Sequence, residues 1–283
     1  MTTAAKEIVF GHSPDADDAF MFYALAKGRV RVQGYEVGHK LEDIQSLNVR
    51  AERGELDITA ISAAVYPHVA KHYRIMSCGA SVGRNYGPVV VSREPMKPGG
   101  LAGKKIGVPG EQTTSWMLFR IFVTEPVQPV FLNFDGVGPA VREGRVDAGI
   151  LLHEGQILYE KQGFSGILDL GKKWFEATKL PIPLGLDCVH RRLGEKQAQA
   201  VTDALRASVV YARSHEDEAL DYALAFGRGI AKEDARRFVR MYVNDDTVDM
   251  GAEGRRALET LYRMAAERKI IKSVPQLDIV QAK

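Results

Sequence analysis

YGPVVVSREPMKPGGLAGKKIGVPG, residues 86–110, decides how the chain is organised. An apolar β-branched run gives way to a Pro- and Gly-rich stretch, and then a second apolar run ends in Pro-Gly. A strand, a linker and a fresh strand-turn-helix start predict that the chain leaves one structural unit near residues 91–100 and begins another. Further on, PIPLGLDCVHRRL, residues 181–193, carries a strand-like run into a long amphipathic pattern, EKQAQAVTDALRASVVYARSH, and is the natural return. Two crossings make the first unit discontinuous. Residues 1–92 with 187–283 form the expected larger lobe, and 93–186 the smaller.

The flanking sequence supports this frame. Short Val- and Ile-rich runs alternate with helical patterns: KEIVFGH with DDAFMFYALAKG, LDITAIS with AAVYPHVAKHY, KKIGVPG with TTSWMLFRIF, and later VDAGILLH. That alternation predicts an α/β fold with largely parallel sheets covered by helices. Gly28 stands where the first helix should end. The tail is helical, with apolar residues three and four apart in EDEALDYALAFG, EDARRFVRMYV and GRRALETLYRMAAERKII. Two lobes joined by two crossings leave a ligand cleft between them, and open α/β sheets bind ligands beyond their strand carboxyl ends. Four polar groups are expected there: GHSPDADDAF (11–20), Ser62, Gly110 to Thr114, and His153.

Bulk composition narrows the class of ligand. The 283 residues are 45% hydrophobic and 26% charged, with net charge +2 from 38 basic and 36 acidic residues and no like-charge block. Neither nucleic acid nor a membrane surface is an expected partner, and a small molecule is. The opening MTTAAKEIVFGH has too short an apolar run for a signal-peptide core, and no stretch approaches the roughly eighteen apolar residues of a membrane span. A cytoplasmic location is the expectation. Cys78 and Cys188 have no zinc-type spacing and are expected to be buried thiols.

Each candidate group admits a plain structural reading. Asp15, Asp17 and Asp18 suit the first turn of a helix, while His12 and Ser13, at the strand end before Pro14, are placed to face a cleft. Thr113 is a natural N-cap; the amides of that helix start, with the Thr113 and Thr114 hydroxyls, could also hold a carboxylate or phosphate. Neither the Gly-Lys-Thr ending of a P-loop nor a dinucleotide fingerprint is present, which argues against ATP and NAD. His153, in LLHEGQILYE, is either structural or a base that titrates near neutrality, with Glu154 orienting it or facing solvent. His68 and His72 have the spacing of a helical metal pair but no evident third ligand, and a solvated helix face explains them. No Gly-x-Ser-x-Gly elbow or Cys-His neighbour points to acyl chemistry. Arg84, Asn85 and Tyr86 lie in a crossing loop, where they either contact ligand or are simply loop polarity.

Taken together, GHSPDADDAFMFYAL, ISAAVYPHV, PGEQTTSW and LLHEGQILYE resemble the MqnA/MqnD family of menaquinone biosynthesis over nearly the whole chain, and most closely its MqnD branch. The His-Glu-Gly after the later strand and the Ser-Pro turn in the first loop carry the distinction, since MqnA-type chains tend to open with a Tyr-Leu-Asn-type loop. The resemblance implies the two-lobed, type II fold of periplasmic binding proteins. It also implies a carbon-carbon lyase, a 1,4-dihydroxy-6-naphthoate synthase acting on cyclic dehypoxanthinyl futalosine, with neither metal nor organic cofactor. By the same resemblance His153 is the general base, and Ser62 and a threonine of Thr113/Thr114 hold the substrate, which carries a carboxylate. The family loop Ser-Pro-Cys-Pro-Asn-Asp is replaced here by Ser-Pro-Asp-Ala-Asp-Asp, which leaves Asp17 and Asp18 without a role carried over. A non-catalytic binding protein for a small carboxylate and an MqnA-type chorismate dehydratase are the alternatives, because function lives in the site rather than the fold.

Overall fold

In a computed structural model, residues 6–226 and 229–283 are described; residues 1–5, where the reading of the N-terminal segment and of the larger lobe begins, lie outside them. The strands are β1 (Lys6–His12), β2 (Tyr35–Leu41), β3 (Ile58–Ser62), β4 (Tyr73–Met76), β5 (Ser81–Gly83), β6 (Val89–Ser92), β7 (Lys105–Val108), β8 (Gln128–Phe131), β9 (Ala148–Leu151), β10 (Ser165–Asp169), β11 (Ile182–His190) and β12 (Ile279–Val280). The helices are α1 (Ala16–Ala26), α2 (Ile44–Glu52), α3 (Tyr66–Val69), α4 (Thr114–Phe122), α5 (Phe134–Arg142), α6 (Gly155–Leu158), α7 (Leu170–Thr178), α8 (Gly194–Ser214), α9 (Glu216–Leu224), α10 (Lys232–Tyr242), α11 (Asp245–Val248) and α12 (Gly251–Glu267).

The strands form two sheets, and each defines a lobe. One has the order β12-β4-β11-β3-β1-β2, with β5 also paired to β11; the other runs β10-β6-β9-β7-β8. The chain changes sheet between Gly83 and Val89 on the way out and between Asp169 and Ile182 on the way back. Both changes fall a few residues before the boundaries read from sequence, because Val89–Ser92 already pairs with β9 and β10, and Ile182 already pairs with β5. The expectation of largely parallel sheets is corrected. β1 runs parallel to β2 and β3, and β7 parallel to β8 and β9, but β6 and β11 run antiparallel to the neighbours flanking them. These two are the strands the chain enters on crossing between lobes, so they arrive from the opposite end of their sheet without a βαβ crossover to set them parallel.

Local chemistry accounts for the elements that bear the site. Asp15 caps α1 by accepting the Asp18 N–H, and Gly28 follows its C-terminus at φ +64°, a conformation glycine takes without a Cβ clash. α1 is buried along nearly its whole length because it packs between the first sheet and α8, α9 and α10. A second core, with Ile75 and Leu186 of the first sheet and Val90, Ile106 and Trp174 of the other lobe, runs continuously from lobe to lobe. Among the described residues no helix is long and apolar enough to cross a membrane.

Candidate active site

A cavity between the lobes encloses about 750 Å³ of non-atom space, counting the solvent at its mouth. Its walls come from the four segments expected at strand ends. Ser13 and the three aspartates follow β1, Ser62 ends β3, Thr113 and Thr114 follow β7, and His153 follows β9. The crossing strand β11 forms one wall with Leu184–Asp187, and α10 contributes Phe238 and Tyr242.

His153 sits at φ +49°, a left-handed backbone that costs a non-glycine residue about 1–3 kcal/mol and recurs at functional sites. Phe134 meets its ring edge-on at 5.0 Å. Its Nδ1 lies 3.3 Å from Oδ2 of Asp15 on the opposite lobe, and its Nε2 is buried without a hydrogen-bond partner. An imidazole whose Nδ1–H faces a carboxylate keeps the Nε2 lone pair available as an acceptor. Asp15 therefore caps α1 and faces the histidine at once. Across the cleft, Tyr242 of α10 donates to Oε1 of Gln156, which follows β9 in the other lobe, at 2.6 Å.

Ser62 is held from behind by fully buried Asn48, whose Nδ2 donates to Ser62 Oγ (3.0 Å) while its Oδ1 accepts the Ser62 N–H (2.9 Å). The Ser62 hydroxyl proton is left for a ligand. The two threonine hydroxyls are engaged within the protein. Thr113 Oγ1 donates to Gly110 C=O (2.9 Å) and accepts the Trp116 N–H; Thr114 Oγ1 accepts the Ala64 N–H (3.1 Å) and donates to Leu184 C=O (2.7 Å). What α4 has left at the cavity wall is the backbone N–H groups of Thr114 and Ser115, which have no intrahelical carbonyl to meet.

Ser13 is buried with an unpartnered Oγ, and its N–H donates to Asp18 Oδ2 at 2.7 Å. His12 is not brought to the cavity. Its ring stacks on Phe22 at 4.2 Å and its Nε2 lies 3.1 Å from His39 Nδ1; burial first, then the His39 charge, lower its pKa to about 3. The reason is strand alternation: His12 shares a face with Phe10, two residues back, which is wholly buried. The i, i+4 pair His68 and His72 is likewise not formed on one helix, since α3 ends at Val69 and His72 stacks with His190. Arg84 is committed to Asp246 and Glu253. Both cysteines are buried and free.

The cavity is markedly acidic. Asp15, Asp17, Asp18 and Asp187 line it, and among the described lining residues there is no lysine or arginine. Burial, and then the Asp15 charge, push the carboxyls of Asp17 and Asp18 well above the usual range. Asp15, Asp17 and His153 bring one ligand atom each within 4.8 Å of one another, a spacing a cation could bridge. Asn48, Gln156, Tyr242 and Asp187 are not evident from sequence; a lone asparagine among the apolar positions of α2 is the one available signal.

Two α/β lobes around such a cavity have the fold of the periplasmic binding proteins. The alkanesulfonate-binding protein of Xanthomonas axonopodis, at 11% identity, shares this fold over 99% of this chain and all of its own with a TM-score of 0.74. A crystal structure of a protein from Archaeoglobus fulgidus is much nearer: 43% identity, TM-score 0.90, 95% of this chain and 100% of that one. Two 1,4-dihydroxy-6-naphthoate synthases are similar almost end to end, that of Thermus thermophilus at 38% identity (94% of this chain, 96% of the relative) and that of Streptomyces coelicolor at 35% (95% and 96%). The family profile described as menaquinone biosynthesis matches residues 8–267, and the chain belongs to that family. Its place is therefore among the enzymes of menaquinone biosynthesis that act on small molecules.

Proposed function

We propose that the protein is a 1,4-dihydroxy-6-naphthoate synthase that cleaves cyclic dehypoxanthinyl futalosine, with His153 as general base. The observation that carries this reading is the state of the imidazole: Nδ1 against Asp15, Nε2 buried and unpartnered, at the wall of the cavity. Cleaving a carbon-carbon bond next to a sugar hydroxyl begins with removal of the hydroxyl proton, and aromatisation of the product supplies driving force. A positioned base contributes about 10² to 10⁴ in rate. The first-turn amides of α4 suit the carboxylate that passes unchanged into the product, and Ser62 and Ser13 offer hydroxyls to its other oxygens. Because His153 and Asp15 come from different lobes, closure over the substrate both excludes water and completes the base.

The test is incubation of the purified protein with cyclic dehypoxanthinyl futalosine, reading 1,4-dihydroxy-6-naphthoate by mass and absorbance. Wild type is expected to form product, whereas His153→Ala retains product binding within a few-fold and loses about 10²- to 10⁴-fold in turnover. Near-wild-type turnover in His153→Ala removes it as the base. Thermal stabilisation by the compound without any product replaces catalysis by binding, and chorismate is then the next substrate to supply.

A further inference from the structure

Asp187 is a polar residue of the cavity that neither the sequence nor the base mechanism accounts for. It lies on β11, 2% exposed, lines the cavity, and its Oδ1 has no hydrogen-bond partner. β11 pairs antiparallel with β3 so that Gly185 faces Ser62 and Asp187 faces Ala60. Asp187 and Ser62 are thus diagonal neighbours on one face of the sheet, about 7–8 Å apart at the backbone. One ligand of aromatic-ring dimensions reaches both. Room for the carboxyl is made by Gly79 at φ +84°, where an added Cβ would stand 2.1 Å from Asp187 Oδ2.

Among the described residues, nothing beside this carboxyl balances a negative charge. The titratable groups facing it are Asp18 from α1, Cys78 from the segment after β4 and the adjoining Cys188; α8 presents Leu205. Arg206 and Asp249 act on Cys78. A buried carboxylate with no cation or donor carries a large desolvation penalty, and the carboxyl avoids it by holding its proton.

We propose that Asp187 is a ligand-binding residue that acts as an uncharged carboxylic acid, donating a hydrogen bond to an acceptor oxygen of the bound molecule from the same sheet face as Ser62. The proposal rests on the naphthoate-synthase reading of the cavity, which supplies an oxygen-rich aromatic acid as occupant. Burial raises the Asp187 carboxyl to about 8, so the donor is present at neutral pH and is lost as pH rises through that value.

The experiment measures binding of 1,4-dihydroxy-6-naphthoate to wild type, Asp187→Asn and Asp187→Ala between pH 6 and 9.5. An amide keeps an N–H donor that does not titrate. Wild-type affinity is expected to be level below about pH 8 and to weaken toward tenfold per unit above it. The Asn variant should bind within a few-fold of wild type at pH 7 with that alkaline limb abolished, and the Ala variant about tenfold more weakly. A wild-type profile without the limb overturns the proposal even if neither variant folds, as does a limb that survives in Asn. Absence of product binding to wild type at every pH instead removes the reading of the cavity, and the ligand contact goes with it.

Discussion

Asp15 shows how much one side chain can be asked to do. Its carboxylate caps α1 and stands 3.3 Å from His153, so the two tasks can be separated by substitution. Asparagine caps a helix about as well as aspartate but brings no charge to the imidazole. Asp15→Asn is expected to keep its unfolding midpoint while kcat falls on the order of 10² or more with little change in KM; Asp15→Ala adds a stability loss of about 1 kcal/mol. Steady-state kinetics beside urea unfolding separates the two, and equal kinetic and stability losses in both variants would falsify the division of labour. The cap was legible in the sequence because its partners lie within one helical turn. The histidine contact was not, since no local rule reaches from the first loop to the other lobe. His12 could have been placed better: the period-2 alternation that buries Phe10 puts His12 on the same side.

Helix α4 is tied at its start to two separate segments. Thr113 closes its first turn locally, but Thr114 joins Ala64, just after β3, to Leu184 on the crossing strand. Replacing Thr114 by valine keeps the shape and strands a buried N–H and a carbonyl, which costs about 1–3 kcal/mol. Chemical denaturation is expected to show that loss for Thr114→Val, together with weaker ligand binding because the α4 amides shift; a stability unchanged within error would show that Thr114 bears no such tie. Here too the local half was readable and the remote half was not. Strands β1, β3, β6, β7, β9 and β11 followed from Val- and Ile-rich runs between turn residues while β2, β4, β5, β8, β10 and β12 did not, and such a run carries no mark of direction: β6 and β11 proved antiparallel to their flanking neighbours.

Across the whole molecule the lobes meet at a reciprocal amide contact beside the cavity-lining Ile44 and Thr113. Gln45 Nε2 donates to Gln112 Oε1 at 3.0 Å, and Gln45 Oε1 accepts the Gln112 N–H at 3.1 Å. Gly110 permits it, as a Cβ there would stand 2.6 Å from Gln45 Oε1. If this pair holds the lobes together, Gln45→Ala lowers the population of the closed form, and apparent affinity falls in proportion. A severalfold rise in KM with kcat nearly unchanged is the expected result; a fall in kcat alone would place the pair in chemistry rather than closure. The two-lobed plan itself was legible from residues 86–110 and 181–193, because linker composition and a restarted strand pattern are local signals. Contacts between lobes, made by glutamines with no distinguishing neighbours, are not.

The place of β11 between β3 and β4 has a bearing on how the protein is made. Residues 89–169 leave the ribosome before Ile182 does, so every strand of the second sheet exists before the strand that joins β3 to β4 in the first. The nascent chain therefore carries β1, β2 and β3 with an unpaired edge while the later-made lobe can already close upon itself. Synthesis order is reversed in folding order: the lobe that begins the chain is the last to be completed, and the wall of the cavity bearing Asp187 is sealed only when the two halves of that lobe meet.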